Sequence, residues 1–239
     1  MISRLIEAPA IDWNGKFAQR ARRCQHTGLQ SFYRSPLPAD DTPMCEVKFL
    51  AMDFETTGLD CKNDSIISIG VVPFDLNRIY LSQAQEWKVR PQQKLSDDSV
   101  VIHGITHSDL IDAPDFEDVI DEVLSQMQGF VPVVHYHRIE RDFLDHEFRR
   151  RYNEGVEFPL IDTMAIESSI QQRKNGNLFK RLLGKHPESV RLANSRERYG
   201  LPQYSPHHAL TDAIATAELL QAQIHHNQWH QDRLKDFWI

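Results

Sequence analysis

The sequence predicts an α/β fold: a mixed five-stranded sheet flanked by helices, with an N-terminal helical extension. Three observations predict it. Strand-like runs crowd together between Val47 and Arg90, and strands alternate with helices from Phe116 onward. Within that second part Phe116, Val119, Ile120, Val123, Leu124 and Met127 recur at the i, i+3, i+4, i+7 spacing with which a helix buries one face.

Taken in order, residues 1–45 hold one helical pattern, Ile11, Phe17 and Ala21, followed by the loop-like SPLPADDTP, whose prolines and aspartates end it. VKFLAMDFE reads as a strand, IISIGVVPF as a second and RIYLSQAQEWKVR as a third, a meander with Gly58 and Asn63-Asp64 at its turns. After the helix over 116–127, FVPVVHY is a buried strand, a helix covers about 138–152, and FPLID is a short fifth strand. Helices follow near 163–171, 190–199 and 208–226. These borders predict an extension over 1–45, a main domain over 46–226 and a C-terminal tail over 227–239.

Composition limits the functions open to such a chain. At 239 residues and 41% hydrophobic content it holds enough apolar material for a sizeable core. No apolar run approaches the roughly 20 residues of a membrane helix, and MISRLIEAPAIDW lacks the apolar core of a secretory signal, so a cytoplasmic protein with no membrane partner is expected. Cys24, Cys45 and Cys61 are odd in number and show no CxxC spacing, which supports neither a disulfide framework nor a zinc knuckle. The net charge of −7 argues mildly against a polyanionic partner. Locally the balance reverses. Between Gln171 and Arg198 the bases Arg173, Lys174, Lys180, Arg181, Lys185, Arg191, Arg196 and Arg198 face only Glu188 and Glu197, either as a solvated face or as a guide for a phosphate chain.

Candidate chemistry concentrates at three acidic sites. In DFETTGLD, Asp53 and Glu55 stand two apart on the first strand and point to one face. Two carboxylates about 4 Å apart repel by about 4 kcal/mol at an effective dielectric of about 20, so both stay ionised only beside bound cations. In VVHYHRIERDFLDHEF, helical spacing puts Glu140 in the apolar sector bounded by Ile139, Phe143, Leu144 and Phe148, and Asp142 on the far side with Asp145, His146 and Arg149. Glu140 then needs a buried partner, an arginine or a metal. In SPHHALTDAIATAELL, Asp212 lies beside the stripe of Leu210, Ala213, Ala217 and Leu220 and faces inward, while His207, near the helix start, either caps the helix or bends over the same site. Asp53, Glu55, Glu140 and Asp212 are an all-oxygen set without Cys or paired His, which suits two divalent ions, Mg²⁺ or Mn²⁺, better than zinc. Such a set favours phosphodiester hydrolysis, with the His207 imidazole taking the proton of the attacking water.

DFETTGLD, HYHRIERDFL and HHALTDA resemble, in that order, the three exonuclease motifs of the DEDD superfamily in its histidine-containing branch, DEDDh. The likeness is greatest to the proofreading epsilon subunits of bacterial DNA polymerase III and their stand-alone relatives, and it runs from about Val47 to Leu220. It implies a ribonuclease H-like fold, two divalent ions, and release of nucleoside 5′-monophosphates from single-stranded or frayed 3′ ends of DNA. RNA is the alternative substrate, as for oligoribonuclease or ribonuclease T, and a polymerase or repair protein the implied partner. VIHGIT, residues 101–106, resembles the family's segment beside the terminal nucleotide. The resemblance therefore implies that His103 and Ile105, with Thr57, Gly58, Leu59 and His135, contact the substrate. The middle motif departs from the pattern: where the family usually has His-Asn and then an aspartate, this chain has His135-Tyr136 and Glu140, with Asp142 two residues on. Asp162, ending FPLID, matches a further family position and is read as structural. From another class, a nucleic-acid-binding or polymerase-associated module weakened in catalysis is the competing expectation.

Overall fold

The computed structural model describes residues 11–92, 104–175 and 188–239. Its sheet has five strands, β1 Phe49–Thr56, β2 Ile66–Phe74, β3 Gln85–Lys88, β4 Val131–Val134 and β5 Ile161–Asp162, in the order β3-β2-β1-β4-β5. β1, β2 and β3 are antiparallel neighbours, while β4 and β5 run parallel to β1. The connections explain the mixture: short loops return the chain antiparallel, and helical crossovers bring it back parallel. β2 is buried at every position, so both of its faces are covered.

The helices are α1 Trp13–Arg23, α2 Thr27–Arg34, α3 His107–Leu110, α4 Phe116–Met127, α5 Arg138–Tyr152, α6 Thr163–Asn175, α7 Leu192–Arg198 and α8 Ala209–Asn227. The apolar residues that predict α4 are all buried, and Asp115 with Asp118 forms a capping box at its start. No helix among the described residues is long and apolar enough to cross a membrane.

The structure departs from the sequence reading in three places. The third strand shrinks to Gln85–Lys88, because the chain turns through a short 3-10 segment, Leu81–Gln83, and leaves Leu81 exposed at the sheet edge. The extension holds a second helix, α2, which is too short to show a periodic pattern. It is fixed by packing instead, with Trp13 and Phe17 of α1 buried together with Phe32 and Tyr33 of α2. The expected tail is no tail either: Trp229, Leu234, Phe237 and Trp238 are buried in the main core, and Leu160 and Ile239 exchange backbone hydrogen bonds beside β5.

Candidate active site

Asp53 sits on β1 opposite Gly70 of β2, which in turn sits opposite Glu86 of β3, so one row across the sheet reads acid, glycine, acid. Directly paired residues of antiparallel strands share a face. A Cβ at position 70 would overlap the backbone of Ala209 and Leu210, so α8 begins in contact with the sheet at the gap between the two acids. Asp212, in the first turn of α8, is thereby carried to β1. Ligand oxygens of Asp53, Glu55 and Asp212 lie within 4.8 Å of one another.

Glu140, in the first turn of α5, is 2% exposed and is the buried carboxylate that helical spacing predicts, whereas Asp142 is exposed. Glu140 does not join the trio of Asp53, Glu55 and Asp212, but its charge acts on Asp53. No arginine pairs with it among the described residues, and its Oε2 has no hydrogen-bond partner.

The electrostatics follow from this crowding. Burial raises the pKa of Asp53 well above the carboxylate range, and the charges of Glu140, Asp212 and Glu55 push it further. Burial, with Asp212 and Glu86 adding, takes Glu55 to about 8. Burial also raises Asp212, against the opposing pull of the His207 and His208 amides. Glu140 is raised by burial and by Asp162, although backbone hydrogen bonds at Glu140 and Phe54 oppose the shift. A set of carboxylates, Glu55, Glu140 and Asp212 buried and Asp53 half-buried, with one orphaned oxygen and hard oxygen donors throughout, fits divalent cations.

His207 lies at the mouth of this cluster. Its amide donates to Asp212 Oδ2 at 2.7 Å, its backbone takes a positive φ of 68°, and its side chain is exposed. The neighbouring His208 turns to Glu86, Nε2 lying 3.8 Å from Oε2.

The expected substrate contacts divide. Leu59 is 84% exposed just beyond β1 and free to meet a ligand. Thr57 is engaged within its own loop: its Oγ1 donates to Asp64 Oδ1 at 3.1 Å and accepts from the Ser65 amide at 3.0 Å. Gly58 faces that same Asp64 carboxylate, where a Cβ would overlap it. Ile105 is half-buried against Ile67, Leu110 and Ala113. His103 lies outside the described residues, as do Lys180, Arg181 and Lys185 of the basic segment.

His135 is not placed as a substrate contact. Its Nδ1 lies 2.8 Å from Thr163 Oγ1 and its Nε2 3.0 Å from the Val190 carbonyl, and burial lowers its pKa to about 4. Both nitrogens thus brace the neighbouring segments. Asp162 is structural, as expected. It accepts from the amides of Tyr136, His137, Met164 and Ala165 and lies 2.7 Å from His137 Nδ1. Burial alone would raise its pKa, but the hydrogen bonds from His137 and the backbone hold it below the usual range.

That clamp holds the turn before α5 in a costly shape, with Tyr136 at φ 94°. An L-residue with a large side chain pays about 1 kcal/mol or more there, and Asn tolerates the region better. Tyr136→Asn is therefore expected to raise the unfolding free energy by up to about 1 kcal/mol in a denaturant titration. An unchanged or lowered value would mean that the tyrosine ring contributes more than the strain removes.

Two site residues escape the sequence reading. Gly70 carries a usable signal, a glycine inside an otherwise apolar strand, which marks close backbone approach. Glu86 carries none, since one glutamate on an edge strand looks solvated until β2 and α8 surround it.

A model of the exonuclease family RNase_T matches residues 50–220 of the 239. The chain belongs to that family. Among its relatives, DNA polymerase III subunit epsilon of Treponema pallidum is 29% identical over 181 residues, covering 76% of this chain and 78% of that one. The PolC-type DNA polymerase III of Thermotoga maritima is also 29% identical over 181 residues, of which this chain spans 12% of the length. Among solved structures, the nuclease domain of 3′hExo, a DEDDh family member bound to rAMP, shares the fold with a TM-score of 0.60 at 18% identity, covering 80% of this chain and 96% of that one. The protein is an exonuclease of the RNase_T family related to polymerase III epsilon, built on the ribonuclease H-like fold that the sequence motifs imply.

Proposed function

We propose that this exonuclease removes nucleoside 5′-monophosphates one at a time from single-stranded or frayed 3′ ends of DNA. The observation that carries the reading is the convergence of Asp53, Glu55 and Asp212 within 4.8 Å, beside a buried Glu140 whose Oε2 has no hydrogen-bond partner. These four would hold two divalent cations, Mg²⁺ or Mn²⁺, which when bound would activate the attacking water and neutralise charge on the leaving oxygen. His207, exposed at the mouth, accepts the proton of that water, the task histidine performs at neutral pH. Leu59 and the loop ordered by Thr57 and Asp64 receive the terminal nucleotide. DNA is favoured over RNA because the relatives are DNA polymerase III chains, and a polymerase is the matching partner.

The test is a 5′-labelled DNA and RNA oligonucleotide pair incubated with Mg²⁺, Mn²⁺ or EDTA. A DNA ladder that shortens from the 3′ end only with metal supports the reading. Faster RNA shortening would make the protein an exoribonuclease, and binding without cleavage would make it a weakened module.

Chelation offers a second, independent measurement. The four carboxyls titrate above their unfolded values in the metal-free protein, Glu55 at about 8. Between the unfolded carboxyl value of about 4 and that point, the folded state binds more protons than the unfolded chain, so stability is full at low pH and is lost as pH rises. In EDTA the melting temperature is expected to be lower at pH 8 than at pH 5, and Mg²⁺ should raise it more at pH 8, where fewer protons compete. A melting temperature in EDTA that climbs from pH 5 to 8 would contradict the crowding.

A further inference from the structure

Between α1 and α2, outside the stretch matched by the family model, lies a cavity of about 550 Å³. Ala18, Ala21, Pro36 and Leu37 supply apolar lining, and Arg22 and Arg34 supply two guanidinium groups. No carboxylate among the described residues lines it. Both arginines are exposed, and neither has an ion pair among the described residues. Several other arginines are neutralised, Arg149 by Asp145, Arg151 by Glu147, Arg196 by Glu218 and Arg198 by Glu167, although Arg23, Arg78, Arg138 and Arg191 also have no ion pair among the described residues. In the cavity on the other side of α1, by contrast, carboxylates are present, with Lys16 and Arg20 both 3.0 Å from Glu157. From Trp13 to Leu37 there is no Asp or Glu at all, in a chain whose net charge is −7.

Two unpaired forks above a small apolar floor suit a ligand with phosphates and flat apolar faces. We propose that this groove binds the nucleic-acid strand upstream of the 3′ end, its phosphates on Arg22 and Arg34 and a base against the apolar lining. The inference rests on the exonuclease reading for the identity of the polyanion. Distance gives it a signature. The α1–α2 pair is tied to the chain after the C-terminal end of α5, through Glu154 with the Gln25 amide and through Tyr33 with the Glu157 amide, whereas Glu140 stands in the first turn of α5. A helix of this length spans about 22 Å, so only a strand of many nucleotides reaches both places.

The test compares wild type with Arg22→Ala/Arg34→Ala and Arg22→Glu/Arg34→Glu, with Lys48→Ala as an exposed control. Affinity is read by fluorescence anisotropy in EDTA with a 5′-labelled long oligonucleotide across a salt series, and cleavage is read separately on a dinucleotide with Mg²⁺. The alanine pair is expected to reduce the salt slope for the long strand by about 1.4, two phosphate contacts of about 0.7 each. The glutamate pair should weaken binding further, while dinucleotide cleavage and the melting temperature stay at wild-type values. A salt slope that does not change overturns the proposal, and leaves an acidic protein segment as the occupant to seek. Loss on the dinucleotide equal to that on the long strand overturns it as well. Wild-type binding of the long strand with no cleavage would remove the exonuclease reading while leaving the groove measured.

Discussion

Glu140→Gln is expected to lower kcat by at least about 100-fold, and Asp142→Asn to leave it within a factor of about two. Removing groups that merely orient metal ligands already costs about 10–100-fold, so removing Glu140, a ligand on the proposed reading, should cost at least as much. Glu140 is buried, has an unpartnered oxygen and presses on Asp53, while Asp142 is exposed two residues away on the same helix. The two variants should separate in stability too. Glutamine in place of a buried carboxyl removes a repulsive charge, so the metal-free Glu140→Gln protein should melt at a higher temperature than wild type, most clearly at pH 8. Activity that disappears with Asp142→Asn and survives Glu140→Gln would assign the fourth acid to the wrong side chain.

Gly70→Ala is expected to destabilise the protein by about 1–3 kcal/mol, as forced overpacking does, and to cost about 100-fold in kcat. The added methyl meets main-chain atoms of Ala209 and Leu210, which cannot rotate away as a side-chain tip can. Relief must come from lifting the start of α8, and Asp212 is in its first turn. A displacement on the order of 1 Å from the reacting atoms is enough for a loss of that size. The readout specific to this cause is the melting shift produced by Mg²⁺, which should shrink along with kcat. A variant that is less stable but keeps the full Mg²⁺ shift would show that α8 had not moved.

The sheet and most helices were legible because their apolar residues repeat at the right period: 116–127 and 138–152 carry both pattern and length. α2 was not, since eight residues hold barely two turns and their helicity comes from contact with α1. β3 is shorter than the apolar pattern implies, because Ile79 and Leu81 look strand-like in sequence but the exposed edge offers them no continuous partner. In the site, Asp53, Glu55 and Asp212 could be placed from strand alternation and helical facing, and they do converge. Thr57 and His135 could not, because a polar side chain's choice between ligand and protein depends on neighbours distant in sequence, here Asp64, Thr163 and Val190.

The acids arrive from positions 53, 55, 140 and 212, and the last of them comes on a helix seated against a glycine of the second strand. Folding of a growing chain proceeds from its N-terminal end, so the earlier three are present well before the fourth. Until α8 docks, neither Asp212 nor His207 is beside the acids of β1. On the proposed two-cation reading, a half-made copy that lacks α8 is therefore expected to leave the nucleic acid around it uncut.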